Sequence, residues 1–171
     1  MRGIVDLFCG IGGFSEGARQ AGHQILMAID SDQRALEAHK QNHPGSEHVL
    51  AELPNGLPPL PRDTHIHASP PCQAVSQANR RVNAKEREDA LSLVEWFLSL
   101  VESKRLKSWS MEQAPTRVII ELLAKRSKRS PDLFAYAVVN LSQYGVPQDR
   151  RRVIAGTPSL IKRFVQRVSP P

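Results

Sequence analysis

The chain has 171 residues, 40% hydrophobic and only 5% aromatic, with a formal net charge of +6. That length suits a single domain, residues 1–171, with an aliphatic core; no apolar run suits a bilayer, the start reads as a strand rather than a secretory leader, and two cysteines make no disulfide framework. A soluble, intracellular protein is expected, with no membrane contact, and the basic excess favours a polyanionic partner.

In chain order, GIVDLF (3–8) is a short apolar run that reads as a buried strand. CGIGG (9–13) is a tight turn, and FSEGARQAG (14–22) a helix closed by Gly22. HQILMAID (23–30) predicts a second strand with an acid at its end, and SDQRALEAHKQNHP (31–44) a helix stopped by Pro44. Strand, Gly-rich turn, helix and strand, in that order, open a doubly wound nucleotide-binding α/β fold. LPNGLPPLPRD (53–63) is a proline-rich loop. THIHAS (64–69) predicts a third strand, which delivers Pro70, Pro71, Cys72 and Gln73 at its carboxyl end, where such sheets bind ligands. A long amphipathic helix follows over 85–103, with Leu91, Val94, Leu98 and Val101 on one face. SWSME (108–112) is a strand ending at Glu112, TRVIIELLAKRS (116–127) a helix, and LFAYAVVNL (133–141) and RRVIAG (151–156) further strands. The residues after them, TPSLIKRFVQRVSPP (157–171), read as a short tail.

A structural zinc site needs about four ligands at tight spacing, and no Cys-x-x-Cys pair exists. His39, His43 and His48 lie near one another in sequence, as do His65 and His67, but neither group has cysteine partners. They read as surface or strand histidines, and no metal is expected.

Gly10, Gly12 and Gly13 let a backbone turn approach a ligand closely. The order is F-x-G-x-G-G rather than G-x-G-x-x-G, which does not favour a dinucleotide. Asp30, at the second strand end, is placed to bind a pair of ribose hydroxyls. Cys72 stands as a buried inert thiol or a nucleophile; attack requires the thiolate. Glu112 lies at another strand end, and VPQDRRR (146–152) supplies Gln148, Arg150 and Arg152 ahead of a further strand. Alternate residues of an extended segment point the same way, so Arg150 and Arg152 share a face.

DLFCGIGGFSEG (6–17), SPPCQAVS (69–76), the glutamate in MEQAP (111–115) and YGVPQDRRR (144–152) together resemble the ordered motifs of the C5-cytosine DNA methyltransferase family. The resemblance runs from about Val5 to Gly156. It implies a Rossmann-like S-adenosylmethionine-dependent methyltransferase fold, a mostly parallel twisted sheet with helices on both faces. It implies double-stranded DNA as the partner, with the target cytosine flipped out of the helix. In such enzymes the cysteine thiolate adds to C6 of cytosine and makes C5 nucleophilic towards the methyl sulfonium. Carried over, Cys72 is the nucleophile, Glu112 contacts N3, Arg152 contacts O2, and Arg150 supports the site or a phosphate. Phe8, Gly10, Ile11, Gly12 and Gly13 resemble the turn around the methionine part of the cofactor. Asp30 matches the ribose acid, Ser31 stands where relatives place a large side chain over the adenine, and Glu52 and Leu53 resemble an Asp-Ile pair that reads it. Pro71 and Leu91 line the same pocket, although an ordinary core role suits Leu91 nearly as well. Ser76 and Arg80 belong to a loop that closes on nucleic acid, with Gln148 beside the same strand.

Two departures stand out. EQAP (112–115) replaces Glu-Asn-Val, and the longer Gln113 with the smaller Ala114 is expected to loosen the support of Glu112. From the segment after Gly156, a chain without the family's target-recognition region and last two motifs is expected, and from the place of Met1 before the first motif no permutation of these to the front is expected. A catalytic half with a protein partner that supplies recognition, a truncated copy, and a compact enzyme of low sequence specificity all fit. Basic clusters at Arg80–Arg81, Lys104–Lys107 and Lys125–Arg129 then serve as backbone contacts or as solvated helix ends. Methylation of tRNA and a non-catalytic nucleic-acid-binding role are the competing functions.

Overall fold

The computed structural model describes residues 3–71 and 83–166. The chain forms two compact units, Met1–Pro70 and Pro71–Pro171.

The first unit is a parallel α/β arrangement. Its elements are β1 (Ile4–Leu7), α1 (Gly13–Gln20), β2 (Ile25–Asp30), α2 (Gln33–Asn42), β3 (Glu47–Leu50) and β4 (His65–Ala68). The spatial order is β3-β2-β1-β4, with every pairing parallel. All four residues of β1 and all four of β4 are buried, and with them the polar side chains of Asp6, His65 and His67. Strand order reverses beside β1, so the turn leaving β1 sits at a topological switch point, the usual ligand position. Ile4, Ala18 and Ile25 form one apolar cluster with Phe14 packed on it, and Cys9, Ala28 and Leu36 form another. Phe14 also stacks on the His67 ring, centroids 3.4 Å apart. Gly22, at φ +80°, closes α1 as expected, and the Asp32 carboxylate caps α2 by accepting from Arg34 and Ala35.

The second unit contains α3 (Ala84–Lys104), β5 (Trp109–Gln113), α4 (Arg117–Arg129), β6 (Ala135–Asn140), β7 (Arg151–Gly156) and α5 (Pro158–Gln166). β7 lies between β5 and β6 and runs antiparallel to both. A reciprocal Asn83–Glu86 capping box starts α3. Val94, Leu98 and Val101 are fully buried, while Leu91 of the same face is half-buried. Trp109 is fully buried, donates its indole N–H to Leu133 O at 3.2 Å, and meets Phe97 and Phe134 edge-to-face. Glu102 of α3 forms ion pairs with both Arg126 and Arg129 of α4.

Two expectations change, and EHVL (47–50), to which the residue pattern assigns no element, is a strand, β3; its exposed–half–half–exposed pattern lacks the apolar alternation that marks strands. Residues 158–166 are a helix rather than a tail. His39 on α2 and His43 at the C-cap of that helix are buried, not on the surface. Among the described residues no helix is long and apolar enough to cross a membrane.

Candidate active site

In the first unit the chain leaves β1 through Phe8, Gly10 and Gly12, at φ +58°, +53° and +99°. Left-handed backbone favours glycine, and Phe8 holds it as a rare non-glycine. Asp30 clasps this turn: Oδ2 accepts the Gly10 N–H at 2.7 Å and Oδ1 accepts the Asp32 N–H at 2.9 Å. Each oxygen keeps a further lone pair for another donor. Around the turn, a Cβ on Gly10 or Gly13 would meet no atom within 4 Å, and Ile11 between them is 67% exposed. The backbone here is therefore open to a ligand with an apolar side. The Ala51 N–H donates to Asp30 O at 2.9 Å, which brings the exposed Glu52 and the buried Leu53 towards the same strand end. Ser31 is exposed and, with Asp32, Gln33, Arg34 and Glu37, lines an open hollow of about 670 Å³.

Beneath the turn lies a polar set in which Asp6 and Ser15, not singled out by the residue pattern, join His39 and His48. Asp6 of β1 is fully buried and accepts the Ser15 hydroxyl at 2.7 Å. Burial raises its carboxyl to about 7, against the Ser15 hydrogen bond and with help from the Asp30 charge. His39 Nε2 lies 3.0 Å from Ser15 Oγ, and His39 Nδ1 lies 2.9 Å from His48 Nε2. The i, i+4 spacing of His39 and His43, which places both on one helix face, was the available signal. Burial, with the Asp6 and Asp30 charges behind it, pushes the Cys9 thiol far above its usual range, so Cys9 is no nucleophile.

In the second unit Glu112 of β5 stands opposite Ile154 of β7, so Arg152 is its diagonal neighbour on the same face. Arg152 Nε lies 2.5 Å from Glu112 Oε1, and Arg150 Nη2 lies 4.0 Å from the same oxygen. The Arg152 Nε–H makes no aligned hydrogen bond, so the contact is one of charge, while Nη1 donates to Arg151 O at 2.7 Å. Asn140 organises the approach to β7: its Oδ1 accepts the Arg150 N–H at 3.0 Å and its Nδ2 donates to Asp149 at 2.7 Å. Gln148 is exposed. Gln113 is fully buried, and its side-chain oxygen accepts the Ala114 N–H at 2.8 Å. Pro71 is exposed and Leu91 half-buried, both in this unit. Of the basic clusters, Arg105 pairs with Asp132, and Arg126 and Arg129 with Glu102. Cys72, Ser76, Arg80 and Arg81 lie outside the described residues.

The family model for C-5 cytosine-specific DNA methylase matches residues 3–121. The chain is 34% identical to the type II methyltransferase M.AgeI of Thalassovita gelatinovora, over 87% of this chain and 38% of that protein. It is 29% identical to M.DdeI of Desulfomicrobium norvegicum, over 88% and 39%, and 31% identical to DNA (cytosine-5)-methyltransferase 1 of Mus musculus, over 88% and 11%. The chain thus spans about two fifths of the type II relatives. Among solved structures, a prophage-encoded E. coli chain described as a DNA modification methyltransferase superposes with a TM-score of 0.67 at 26% identity, over 95% of this chain and 48% of that one. A DNMT2 variant of Spodoptera frugiperda shares the fold, with a TM-score of 0.63 at 19% identity over 91% and 49%. The α/β Rossmann-like methyltransferase fold is therefore the fold of this chain, and the chain belongs to the C-5 cytosine-specific DNA methylase family.

Proposed function

We propose that the chain transfers a methyl group from S-adenosylmethionine to C5 of cytosine in DNA, through a covalent bond between Cys72 Sγ and C6 of the base. The observation that carries this is the clustering of Glu112, Arg150 and Arg152 on one face of β5 and β7. A carboxyl group and a guanidinium held side by side match the adjacent N3 and O2 of a cytosine edge. The relatives named as DNA (cytosine-5)-methyltransferases support the same reading.

S-adenosylmethionine supplies an electrophilic methyl group on a sulfonium. The first unit fits it: Asp30 retains acceptor capacity for ribose hydroxyls, and the open backbone of Gly10 and Gly13 with the exposed Ile11 suits its methionine arm. Phe8 and Gly12 shape that turn, and Ser31, Glu52 and Leu53 surround the adenine.

In the reaction the Cys72 thiolate adds to C6, and the ring charge develops at N3 and O2. The Glu112 carboxyl group gives a proton to N3 as the ring charge develops and takes it back on elimination, while the Arg152 guanidinium meets O2. C5 then takes the methyl group, S-adenosylhomocysteine being what is left of the donor, water accepts the C5 proton, and elimination breaks the S–C6 bond to return Cys72. Arg150 holds Glu112 or a phosphate, and Ser76, Arg80 and Gln148 contact the strand around the flipped base.

The test is a covalent trap. The chain is mixed with S-adenosylmethionine and duplex DNA carrying 5-fluorocytosine, with Cys72→Ser and an RNA duplex alongside, and run on a denaturing gel. Fluorine does not leave as a proton does, so the adduct persists. A shifted DNA band that requires Cys72 is expected. A band with RNA alone would move the substrate to RNA. No band, with the cofactor bound, would overturn catalysis by this chain.

A further inference from the structure

The buried chain beneath the Gly-rich turn has a direction. Ser15 donates its single proton to Asp6 Oδ2, so Ser15 Oγ accepts from His39 Nε2–H. That tautomer leaves His39 Nδ1 as an acceptor for His48 Nε2–H. Protons are thus donated from His48 to His39 to Ser15 to Asp6, each donor used once. This is the order for an ionised Asp6, whose Oδ1 has no partner among the described residues.

The His39 ring, with His43 beside it, is also the floor of the turn. A Cβ on Gly12 would lie 3.0 Å from His39 Cδ2 and 2.9 Å from His43 Nε2. Gly12 also closes the turn through its N–H to Cys9 O at 3.0 Å and opens α1 through its carbonyl, which accepts the Glu16 N–H at 2.8 Å. His39 therefore touches the turn directly at Gly12 and reaches the first turn of α1 through Ser15.

We propose that His39 is a positioning residue, which fixes the Gly-rich turn through Gly12 and Ser15 in the conformation that takes the methyl donor. This rests on the cofactor reading given above. The groups that face His39 are His43 on its own helix, His48 on β3, Ser15 on α1 with Asp6 of β1 behind it, and Asp30 at the end of β2. Burial and the two histidines push its proton affinity down against the pull of Asp30, to about 4. The turn is consequently held at neutral pH, and cofactor affinity falls as the pH drops towards 4.

Two readouts on the whole chain test this. Calorimetry gives the affinity for S-adenosylmethionine and S-adenosylhomocysteine, and amide hydrogen exchange at Gly12 and Glu16 reports the turn without ligand. His39→Leu is expected to weaken binding about tenfold and to speed exchange at both amides. His39→Gln, whose side-chain amide again donates to Ser15, is expected to recover binding to within about threefold of the native chain. Ser15→Ala, which changes little volume, covers the case in which His39→Leu does not fold; it is expected to speed exchange at the same amides and weaken binding about fivefold. Native affinity and native exchange in a folded His39→Leu or Ser15→Ala chain would overturn the positioning role alone. A native chain that binds neither ligand would overturn the cofactor reading and the role with it.

Discussion

Arg152 Nε and Glu112 Oε1 lie 2.5 Å apart across the antiparallel strands β5 and β7, with both side chains mostly shielded from solvent. The pair is set by register: Glu112 faces Ile154, and two residues along the same face stands Arg152. Glu112→Gln keeps the shape and removes the charge. Turnover is expected to fall about a hundredfold or more, with cofactor affinity unchanged, since the residue acts on the base and not on the cofactor. Single-turnover methylation beside calorimetric binding checks the split. Equal losses in both would remove Glu112 from the base site.

Cys72 and Cys9 offer a clean contrast. Cys9 is buried with its thiol held protonated, so Cys9→Ala is expected to keep methyl transfer at a modest cost in stability. Cys72→Ala is expected to abolish transfer and trapping while the thermal midpoint stays within about 2 °C. Transfer retained by the Cys72 variant would sink the nucleophile assignment.

Gly12 and Gly17 separate two kinds of glycine. Gly12 sits at φ +99° with imidazole atoms within 3.0 Å of a Cβ, whereas Gly17 lies within α1 with nothing within 4 Å. Gly12→Ala is expected to destabilise the chain by about 2 kcal/mol and to impair cofactor binding. Gly17→Ala is expected to stabilise it by about 0.5–1 kcal/mol through helix propensity. Denaturant midpoints of the two variants decide this; a similar shift in both would mean that the turn is not constrained as described.

Stability depends on pH through groups displaced in opposite directions. His39 and His65 are held down to about 4 by burial, with His48 also lowered and His67 lowered further. Their neutral forms stabilise the fold above the ordinary histidine value of about 6.5, and this contribution is lost as pH falls towards 4. Asp6, raised to about 7, has the opposite sign: its contribution is complete below about 4 and is lost as pH rises through 7. Between about pH 4 and 6.5 the unfolded chain binds the extra protons of four histidines against one retained by Asp6 in the native state, so stability rises with pH. Thermal midpoints at pH 4.5, 5.5, 6.5 and 7.5 are expected to climb to 6.5 and then level. A flat profile would contradict the burial of these rings.

The residue pattern disclosed the parts governed by local rules. Apolar runs, Gly22 and Pro44 marked β1, α1, β2 and α2, and alternation alone put Arg150 and Arg152 on one face, where Glu112 also stands. It did not disclose β3, whose four residues carry no alternation, or α5, whose apolar positions follow β7 without a spacer. Strand direction was equally hidden, since an antiparallel β7 between β5 and β6 reads like any other short strand. The spacing of His39 and His43 hinted at a shared face, but the burial of His39 was not legible: its partner Ser15 lies 24 residues away, and polar burial is decided by such distant company.

Asp30 holds Gly10 and Asp32 by their amides, through contacts made within the chain itself. A glycine turn left free would surrender much backbone freedom on taking a guest; this one has surrendered it during folding. The carboxylate is thus latch as well as wall. Replacing it would loosen the doorway before removing any handhold inside, so a weakened guest at this position would be met first as a loss of entropy.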